Sequence, residues 1–513
     1  MKFKTLSVFA ISTLLAFQAT LAVTYYVSPH GKDSGKGLSP ESPWQTIDRV
    51  NRQNLQPGDI VLFEAGETFQ GNLSIGAKGQ PGNPITLSSF GNARAVIDAG
   101  KGTAIYITGD YVTVRNLNCV GAGRLDGNKG NGIEANSKGV IIDSVEVSGF
   151  QHSGINVTGG SHTRITHVYA HDNGYAGIHG RSSDYMYVGY CIAENNPGDP
   201  TVTKNHSGNG ILIGNSRGSL IEYCEAFNNG WDMHNTATNG PVGIWTWNSD
   251  SVVIQYCISH DNKTQPGRND GGGFDLDGGA RNCVIQYCYS YNNAGCGYLL
   301  CDYGAKNPFV NNTVRYCISE NDGRNNQFAG IFLWSARKED FSNCEIYNNV
   351  IYNSEGRNGL DMDGHGTNFN FRNNIFIIEG TGAPVRGLRG DLKQGLFQGN
   401  CYWTPGGGFS IGSYRSLLEW ASATGQEKAN GKIVGLNTDP MLIAPGKGEK
   451  LKDPGKLPGL LAYRLKEGSP LINAGLDLHS LFGISPGTKD LSGNIIPFET
   501  RYDIGAFEYQ PRK

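Results

Sequence analysis

Two aspartates in the phrase GGGFDLDGG, Asp275 and Asp277, stand two residues apart. On a β-strand this spacing places both side chains on one face, with Cα atoms ~6.7 Å apart. Asp302 follows one sequence repeat later, and neighbouring strands of a sheet lie ~4.8 Å apart. Carboxylates ~5–5.5 Å apart suit retaining hydrolysis of a glycosidic bond, and carboxylates ~6.5–9.5 Å apart suit inverting hydrolysis. We therefore predict that Asp275, Asp277 and Asp302 are catalytic. For Asp275 and Asp277 the alternative is a structural cation site or a hydrogen-bonded turn.

A second pair of aspartates with the same spacing, Asp361 and Asp363, occurs three repeats later. At one strand spacing per repeat this pair lies roughly 14 Å from the first, so the two pairs cannot act on one bond. We expect Asp361 and Asp363 to form a separate subsite, a pair of calcium ligands or solvated turn acids. Asp270, in the loop before the first pair, is a further candidate calcium ligand. Hydrolysis by paired acids requires no cofactor, so calcium is an optional addition.

Both aspartate pairs lie in a short phrase that recurs between about residues 130 and 365. In each copy a glycine is followed by alternating apolar and variable residues, which is the period of a β-strand with one buried face. The third and fifth residues of each copy are therefore expected to face outward. The nine copies are GIEAN (132–136), GINVT (154–158), GIHGR (177–181), GILIG (210–214), GIWTW (243–247), GFDLD (273–277), GYLLC (297–301), GIFLW (330–334) and GLDMD (359–363).

One short strand per repeat cannot bury its own apolar face, so the repeats must stack on one another as a solenoid. A second phrase follows the strand, for example IQYC at 254–257 and again at 285–288. The glycine, asparagine and β-branched content excludes an α-helical solenoid. We predict an all-β fold, a parallel β-helix of about 10–12 coils with an N-terminal cap and a C-terminal capping segment.

One column of the repeat holds cysteine in five successive coils and asparagine in the next three. Inward side chains stacked in this way form a ladder, in which asparagine satisfies backbone groups at a bend and cysteine acts as a small apolar residue. Disulfides are the alternative, because adjacent coils fall within the Cα separation that permits a bridge. Five cysteines in one column cannot all pair, so we predict free, buried thiols. The column comprises Cys191, Cys224, Cys257, Cys288, Cys317, Asn349, Asn374 and Asn400.

Aromatic residues gather at the outward positions of the recurring strand, where a solvated sheet would carry polar residues. Aromatic rings beside carboxylates suit a sugar, which has apolar ring faces and polar rims. Several loops before these strands are long, and insertions on one edge of a solenoid tend to wall its binding face. The alternative is that these loops cover the rings as ordinary core. The predicted substrate-binding residues are Trp245, Trp247, Trp334, Phe332, His179, Arg181, His234, Arg268 and Lys306.

The chain of 513 residues carries 43 Lys and Arg against 46 Asp and Glu, a balance that argues against a nucleic-acid partner. Residues 1–22 have the basic start, apolar centre and small-residue end of a secretory signal, and the apolar run is too short to span a bilayer. We expect a secreted or periplasmic monomer without a membrane span, whose partner is a polysaccharide or oligosaccharide. The expected segments are an N-terminal cap with first coils (23–100), the β-helix with its cleft (101–407), and terminal coils with a C-terminal cap (408–513).

The opening phrases YYVSPHG and PGDIVLFEAG, the coil repeats and the closing phrases GSPLINAG and DIGAFEY together resemble the right-handed parallel β-helix (pectate-lyase-like) superfamily. Its members include pectate lyases, alginate and chondroitin lyases, polygalacturonases and other glycosidases. The resemblance covers nearly the whole chain after residue 22. It implies right-handed coils and a secreted carbohydrate-active protein, but one fold hosts several reactions, so it does not identify the chemistry.

Three functions are compatible with these observations. The first is hydrolysis of a polysaccharide by paired aspartates. The second is β-elimination from a uronate-containing glycan, with Lys306 or His234 as base and aspartate-bound calcium. The third is carbohydrate binding without catalysis. Calcium-dependent members of the superfamily carry an Asp-Asp-Gly-x-Asp box where this chain has GCGYL (295–299), and their lysine base lies in a Gly-Phe-Lys-like phrase that this chain lacks. We therefore favour hydrolysis.

Overall fold

The chain winds into parallel coils, each of which contributes short strands to three long sheets. The predicted all-β parallel β-helix is confirmed, with sheets of 15, 13 and 12 strands in the described part of the chain. Most of the predicted signal segment lies outside the described residues. The computed structural model describes residues 22–325, 328–336, 341–387, 395–448 and 450–511.

Successive strands pass from sheet 1 to sheet 2 to sheet 3, and every pairing within these sheets is parallel. Sheet 1 comprises β1 Thr24–Val27, β2 Ile60–Glu64, β5 Ile85–Phe90, β8 Val112–Arg115, β11 Ile141–Asp143, β14 Arg164–Thr166, β17 Tyr187–Gly189, β20 Leu220–Glu222, β23 Val253–Gln255, β26 Val284–Gln286, β29 Phe309–Val310, β30 Thr313–Arg315, β33 Phe341–Tyr347, β36 Thr367–Arg372 and β39 Gly395–Gln398. Sheet 2 comprises β3 Thr68–Gln70, β6 Ala95–Asp98, β9 Leu117–Val120, β12 Glu146–Ser148, β15 Tyr169–His171, β18 Ile192–Glu194, β21 Glu225–Phe227, β24 Ile258–His260, β27 Tyr289–Tyr291, β31 Ile318–Glu320, β34 Val350–Asn353, β37 Ile375–Ile378 and β40 Cys401–Trp403. Sheet 3 comprises β4 Leu73–Ile75, β7 Ile105–Ile107, β10 Ile133–Ala135, β13 Ser153–Thr158, β16 Ala176–Arg181, β19 Asn209–Gly214, β22 Val242–Trp247, β25 Gly272–Asp277, β28 Tyr298–Asp302, β32 Ile331–Ser335, β35 Leu360–Gly364 and β38 Val385–Gly387.

Sheets 1 and 2 meet at a tight turn that holds the predicted ladder of small inward side chains. The ladder cysteines are free thiols, as predicted. Each donates to a backbone carbonyl of its own turn, as Cys257 Sγ does to the Gln255 oxygen at 3.2 Å. Further along, Asn349 Nδ2 donates to Asn374 Oδ1 at 2.9 Å, so amide stacking replaces thiol packing. The column thus closes the core at this corner.

A second asparagine ladder lies at the turn from sheet 2 to sheet 3. Asn262 Nδ2 donates to Asn293 Oδ1 at 2.9 Å, and Asn293 Nδ2 donates to Asp322 Oδ1 at 2.8 Å. The ladder satisfies buried backbone groups at the point where the long loops leave the helix. It therefore fixes the position at which each long loop begins, although the loops differ in sequence. Its members are Asn173, Asn196, Asn229, Asn262, Asn293 and Asp322.

After β40 the chain folds back over the outer face of sheet 2 and forms a second apolar cluster there. Glu320 ties this segment to the helix, because its Oε2 accepts from the Tyr289 and Tyr463 hydroxyls at 2.7 and 2.5 Å. No helix among the described residues combines the length and hydropathy needed to cross a bilayer. The short elements outside the sheets are α1 Ile47–Asn51, α2 Leu417–Thr424, α3 Leu478–Phe482, a 3-10 helix Pro454–Gly459 and the hairpin β41 Lys428–Ala429 with β42 Lys432–Ile433.

Candidate active site

The outer face of sheet 3 is the floor of a cavity of about 770 Å³. Alternate residues of strands β16 to β35 face this cavity, as the two-residue period of a strand requires. Backbone pairing puts Trp245 beside Asp275 and Trp247 beside Asp277. Leu299 lies beside Asp275 on the next strand. The cavity is lined by Tyr175, His179, Arg181, Asn205, His206, Asn239, Gly240, Val242, Trp245, Trp247, Asn269, Asp270, Asp275, Asp277, Leu299, Cys301, Tyr303, Phe328, Phe332, Trp334 and Asp363.

The wall of the cavity comes from the long loops between sheets 2 and 3. Asn205 and His206 belong to the loop before β19, and Asn239 belongs to the loop before β22. Asp270 belongs to the loop before β25 and adopts a left-handed backbone with φ of 59°. The next residue, Gly271, also has positive φ, so the chain turns sharply from the wall into the floor strand. The long loops that the sequence predicts at this edge form the wall of the cavity on the outer face of sheet 3.

Asp270, Asp275 and Asp277 form a cluster of three carboxyl groups in the cavity, one from the wall and two from the floor. Burial raises the pKa of Asp275 well above its ordinary value, and the charges of Asp277 and Asp270 add to this effect. Burial also raises the pKa of Asp277 to about 7 and that of Asp270 to about 6. At neutral pH the cluster therefore holds both protonated and ionised carboxyl groups, which is what acid–base hydrolysis needs.

The three acids differ in the hydrogen bonds that they accept. Asp277 Oδ1 accepts from the Gly278 N–H at 2.7 Å, and the Cys301 thiol donates to the same carboxyl group. Asp270 Oδ2 accepts from the Gly240 N–H at 2.9 Å. Asp275 Oδ1 is buried and has no hydrogen-bond partner among the described residues. Donated hydrogen bonds favour the charged form of a carboxyl group, so Asp277 is the better placed of the two floor acids to be ionised.

Asp302, the third predicted catalytic residue, does not line the cavity. Leu299 and Cys301 are the outward residues of β28, so the alternation of the strand turns Asp302 to the opposite side. Its carboxyl group is fully buried, and Oδ1 accepts from the backbone N–H groups of Gly304 and Ala305 at 3.0 and 3.4 Å. Asp302 thus holds the turn after β28.

Asp361 and Asp363 occupy the same register as the first pair, three strands further along sheet 3. Asp361 is fully buried and forms a two-armed ion pair with Arg386, at 2.8 Å to Oδ1 and 2.7 Å to Oδ2. The Arg386 guanidinium supplies to both oxygens the positive charge that a calcium ion would otherwise bring to that carboxylate. In the described part of the chain, no cluster of three or more His, Cys, Asp or Glu side chains is arranged to hold a metal ion.

Two small apolar clusters flank the acids and lie outside the core of the helix. The first contains Leu212, Val242 and Trp245, with Tyr175 and Trp247 packed against it. On the other side of the acids, Cys296, Leu299 and Phe332 form the second cluster, joined by Cys301, Phe328 and Trp334. Of the predicted aromatic ligands, Trp245 and Phe332 are covered by the loops, whereas Trp247 and Trp334 remain half-buried. All four still line the cavity.

The predicted polar ligands divide into two groups. His179 and Arg181 line the cavity, with the Arg181 guanidinium 5.9 Å from the centre of the Trp247 ring. His234, Arg268 and Lys306, which all stand on loops, are not among the lining residues. Arg181 is accordingly the one lysine or arginine among the described lining residues, against four aspartates.

Several lining residues were not predicted as ligands from the sequence. Tyr175, Tyr303 and Phe328 come from loops, and Asp270 was predicted only as a calcium ligand. The length of the loops before β19, β22 and β25 predicts that His206 and Asp270 approach this face, but it assigns neither of them a contact with substrate. Strand residues could be assigned by alternation, whereas loop residues follow no such period.

Comparison with known proteins places these features in a family. A family model described as "Pel9A-like, right handed beta helix region" matches residues 25–326. Its right-handedness agrees with the handedness that the resemblance in the sequence implied. The match includes the strands that carry Asp275 and Asp277 and ends before Trp334.

Individual relatives are more distant. A lacto-N-biosidase of Bifidobacterium longum is 42% identical over 84 residues, which is 15% of this chain and only 5% of that protein. The crystal structure of a GH136 lacto-N-biosidase from Eubacterium ramulus superposes with a TM-score of 0.53 at 19% identity, covering 68% of this chain and 67% of that one. XylC in complex with xylose gives a TM-score of 0.54 at 12% identity over 95% and 98% of the two chains. At these identities the structural likeness shows the fold alone.

Proposed function

The chain belongs to the Pel9A-like right-handed β-helix family, and from that premise we propose that it is a glycoside hydrolase acting on a polysaccharide or oligosaccharide. The observation that carries this proposal is the position of three carboxyl groups, that of Asp275 buried and those of Asp270 and Asp277 partly buried, between two aromatic clusters in one cavity. Sugar rings stacked on the two clusters would place the bond between them over the acids. The local similarity to a lacto-N-biosidase supports the same reaction class.

In this proposal Asp277 is the ionised carboxylate, because it accepts hydrogen bonds from Gly278 and Cys301. The proton for the leaving oxygen comes from Asp275, because the pKa of Asp270, about 6, lies below that of Asp277, about 7. Asp275 keeps its proton because no donor stabilises its charge through Oδ1. Asp270 faces the floor acids from the wall and is a second carboxylate of the site. Single Asn substitutions at Asp270 and Asp275 test this assignment.

The charge of the cavity favours an uncharged substrate over a uronate. Four aspartates and one arginine line the described cavity, so a carboxylate-bearing sugar would meet repulsion at most points. β-Elimination also needs a base at C5 of the uronate, and the predicted bases Lys306 and His234 are not among the lining residues. Elimination remains the second candidate because the family model carries the name Pel9A and because lyases share this fold.

The test is to incubate the protein with neutral and uronate-rich polysaccharides, together with oligosaccharides that carry a lacto-N-biose unit. Reducing ends and the ultraviolet absorbance of an unsaturated uronate are followed together, with and without a chelator. We expect new reducing ends without that absorbance, no effect of the chelator, and no product from Asp277→Asn. Asp490→Asn serves as the matched substitution of a buried aspartate outside the cavity.

Each other result contradicts the proposal in a distinct way. Absorbance that rises with the reducing ends identifies a lyase, and loss of that signal with a chelator adds calcium to the site. Reducing ends that persist in Asp277→Asn place the chemistry on other residues. If no polysaccharide in the panel is cleaved but glycan binding is retained, the protein binds carbohydrate without catalysis.

A further inference from the structure

We propose that the end of the cavity formed by Tyr175, His179, His206 and Trp245, here called the histidine end, is a subsite for an uncharged sugar ring, to which His206 donates a hydrogen bond from Nε2–H. The inference rests on the proposed function, because it assigns one part of that cavity. It adds the chemical class of the ring bound there and the group that recognises it. Three observations support it, and the first is the fixed orientation of a single buried amide.

Asn209, the first residue of β19, is fully buried and uses both ends of its side chain. Its Oδ1 accepts from Trp245 Nε1 at 3.1 Å. Its Nδ2 donates to the Tyr175 carbonyl at 3.1 Å and contacts His206 Nδ1 at 2.9 Å. Because an indole N–H can only donate, Asn209 Oδ1 must be the atom that faces Trp245. The amide nitrogen therefore faces His206, and one side chain positions three residues of the histidine end.

This orientation determines the tautomer of His206. The Asn209 amide nitrogen can only donate, so His206 Nδ1 must accept and carries no proton. The proton of the neutral imidazole is then on Nε2, which makes no hydrogen bond with any described residue. Burial lowers the pKa of His206 to about 4, so the ring stays neutral at physiological pH. His206 lines the cavity and thus offers it one neutral N–H donor of defined position.

His179 is the second polar group that lacks a partner. It lies on the floor strand β16, its Nδ1 is buried, and no described residue forms a hydrogen bond with that atom. Burial, with the charges of His152, His206 and Arg181, lowers the pKa of His179 to about 3. An unpaired buried imidazole nitrogen costs free energy unless a ligand or water contacts it. A sugar hydroxyl, which both donates and accepts, satisfies either nitrogen of this ring.

The third observation is the aromatic surround, which matches the apolar face of a sugar ring. The His206 ring meets Trp245 edge-on at 5.0 Å, and the Tyr175 ring lies 5.2 Å from His179 and 5.6 Å from His206. The Arg181 side chain is exposed and lies over Trp247, although its charge still acts on His179 and Tyr175. A carboxylate placed among neutral imidazoles and aromatic rings would lose its hydration, with the exposed Arg181 as the one cation of the described lining. The chemistry of the histidine end therefore selects an uncharged ring.

The test uses the Asp277→Asn protein, in which binding is measured without turnover. Calorimetric titration with lacto-N-biose, xylobiose, cellobiose and digalacturonate gives the dissociation constants. We expect at least one neutral disaccharide to bind and digalacturonate not to bind. Adding His206→Phe should weaken that binding about 3–10-fold, the value of one lost hydrogen bond, whereas His206→Gln, which restores an N–H donor, should stay within about 2-fold of the parent.

Two further variants separate recognition from packing. Asn209→Asp keeps the shape of the side chain but replaces the donor to His206 Nδ1 with an acceptor, which moves the proton to Nδ1. We expect it to weaken binding as much as His206→Phe, with a thermal midpoint that shows the protein is folded. His167→Phe, in the turn between sheets 1 and 2, is the matched control and should leave binding unchanged.

Several outcomes would overturn the inference. Binding of digalacturonate that depends on Arg181 shows that the histidine end takes an anionic ring. Neutral binding that His206→Phe does not weaken, or weakens no more than His167→Phe does, removes the donor role. Failure of all four sugars to bind removes the subsite. The proposed function is judged separately, because wild-type protein either releases reducing ends from the polysaccharide panel or does not.

Discussion

Two aspartate pairs occupy the same two columns of sheet 3 but have different neighbouring side chains. Asp275 and Asp361 share one column, and Asp277 and Asp363 share the next. Asp361 is neutralised by Arg386 and receives a further hydrogen bond from Asn358 at 2.9 Å. Asp275, in contrast, has no arginine partner, and burial beside two other acids raises its pKa. The spacing of two carboxylates therefore does not decide their chemistry, because the neighbouring side chains do.

The difference arises from the residues on adjacent strands. The neighbours of the first pair along the sheet are Trp245, Trp247 and Leu299, which desolvate the acids without supplying charge. The neighbour of Asp361 on β38 is Arg386 itself. In a buried ion pair the charge of the acid is neutralised, and the acid has a structural role. Buried acids without a cation have raised pKa values, which acid–base catalysis can use. The comparison predicts a large effect on turnover from one pair and a large effect on stability from the other.

The largest expected effect is on turnover at the first pair. Asp277→Asn should lower kcat by about 10²–10⁴-fold, because it removes the ionised carboxylate of the reaction. Asp363 occupies the same column of sheet 3 as Asp277, three strands further along. Asp363→Asn should lower kcat by no more than about 10-fold. The measurement is the initial rate of reducing-end release on a substrate found in the panel. Equal losses in the two variants would mean that the two pairs act as one site.

The pH dependence of turnover is the next effect in size. Burial raises the pKa of Asp277 to about 7 and that of Asp270 to about 6, so the acids titrate close to neutrality. Reaction needs Asp277 ionised and Asp275 protonated, so kcat/KM should rise as pH rises towards about 7 and Asp277 loses its proton, and it should fall only at higher pH, where Asp275 ionises. Asp270→Asn should shift the rising limb of the profile. A rate that stays level as pH rises from about 5 to about 7 would exclude Asp277 as the carboxylate that must be ionised.

The corresponding effect at the second pair is on stability. Arg386→Met leaves Asp361 buried without its cation and should cost about 1–3 kcal/mol at pH 8, less than a fully buried pair because Arg386 is partly exposed. Burial already raises the pKa of Asp361. Its protonated form is therefore favoured by folding, and stability is lost as pH rises from the unfolded value towards the folded one. Denaturant unfolding at pH 5 and pH 8 measures this loss.

The control for this experiment is Arg217→Met, which breaks an exposed pair with Asp184 at 3.4 Å. That change should alter the free energy of unfolding by less than about 0.5 kcal/mol at either pH. If Arg386→Met behaves like Arg217→Met, Asp361 is not held by its arginine. In that event the contrast between the two aspartate pairs must come from the aromatic neighbours of the first pair alone.

The sequence predicts most of the fold and the floor of the site because both follow from periodicity. Alternation along β22 and β25 places Trp245, Trp247, Asp275 and Asp277 on the outer face, and the cavity contains all four. The cysteine column is visible as a repeat because each coil returns to the same position. The same period places Asp302 on the opposite face, because it stands one residue beyond the outward Cys301.

The wall and its partners were not predictable in the same way. Asp270 and His206 lie on loops whose backbone is set by left-handed residues and by buried amides such as Asn209. Asp270 accepts from Gly240 and Asn209 accepts from Trp245, so these contacts join residues 30 and 36 positions apart in the sequence, and no local pattern predicts them. The pairing of Asp361 with Arg386 is likewise a contact between adjacent coils. Sequence spacing thus predicts which residues share a face, but not which of them neutralise one another.

The smallest predicted effect concerns Cys301, which lies in the column between the two pairs and donates to Asp277. Cys301→Ser keeps a donor and should lower kcat by no more than about 3-fold, whereas Cys301→Ala removes it and should lower kcat by about 5–10-fold. Removing a donor raises the pKa of the carboxyl group further, so the Ala variant should also shift the rate profile towards higher pH. Initial rates across pH distinguish this from packing, because a purely structural role would lower the rate without moving the profile. An unshifted profile in Cys301→Ala would show that the thiol does not set the charge of Asp277, and the Gly278 N–H would then be its main stabilising donor.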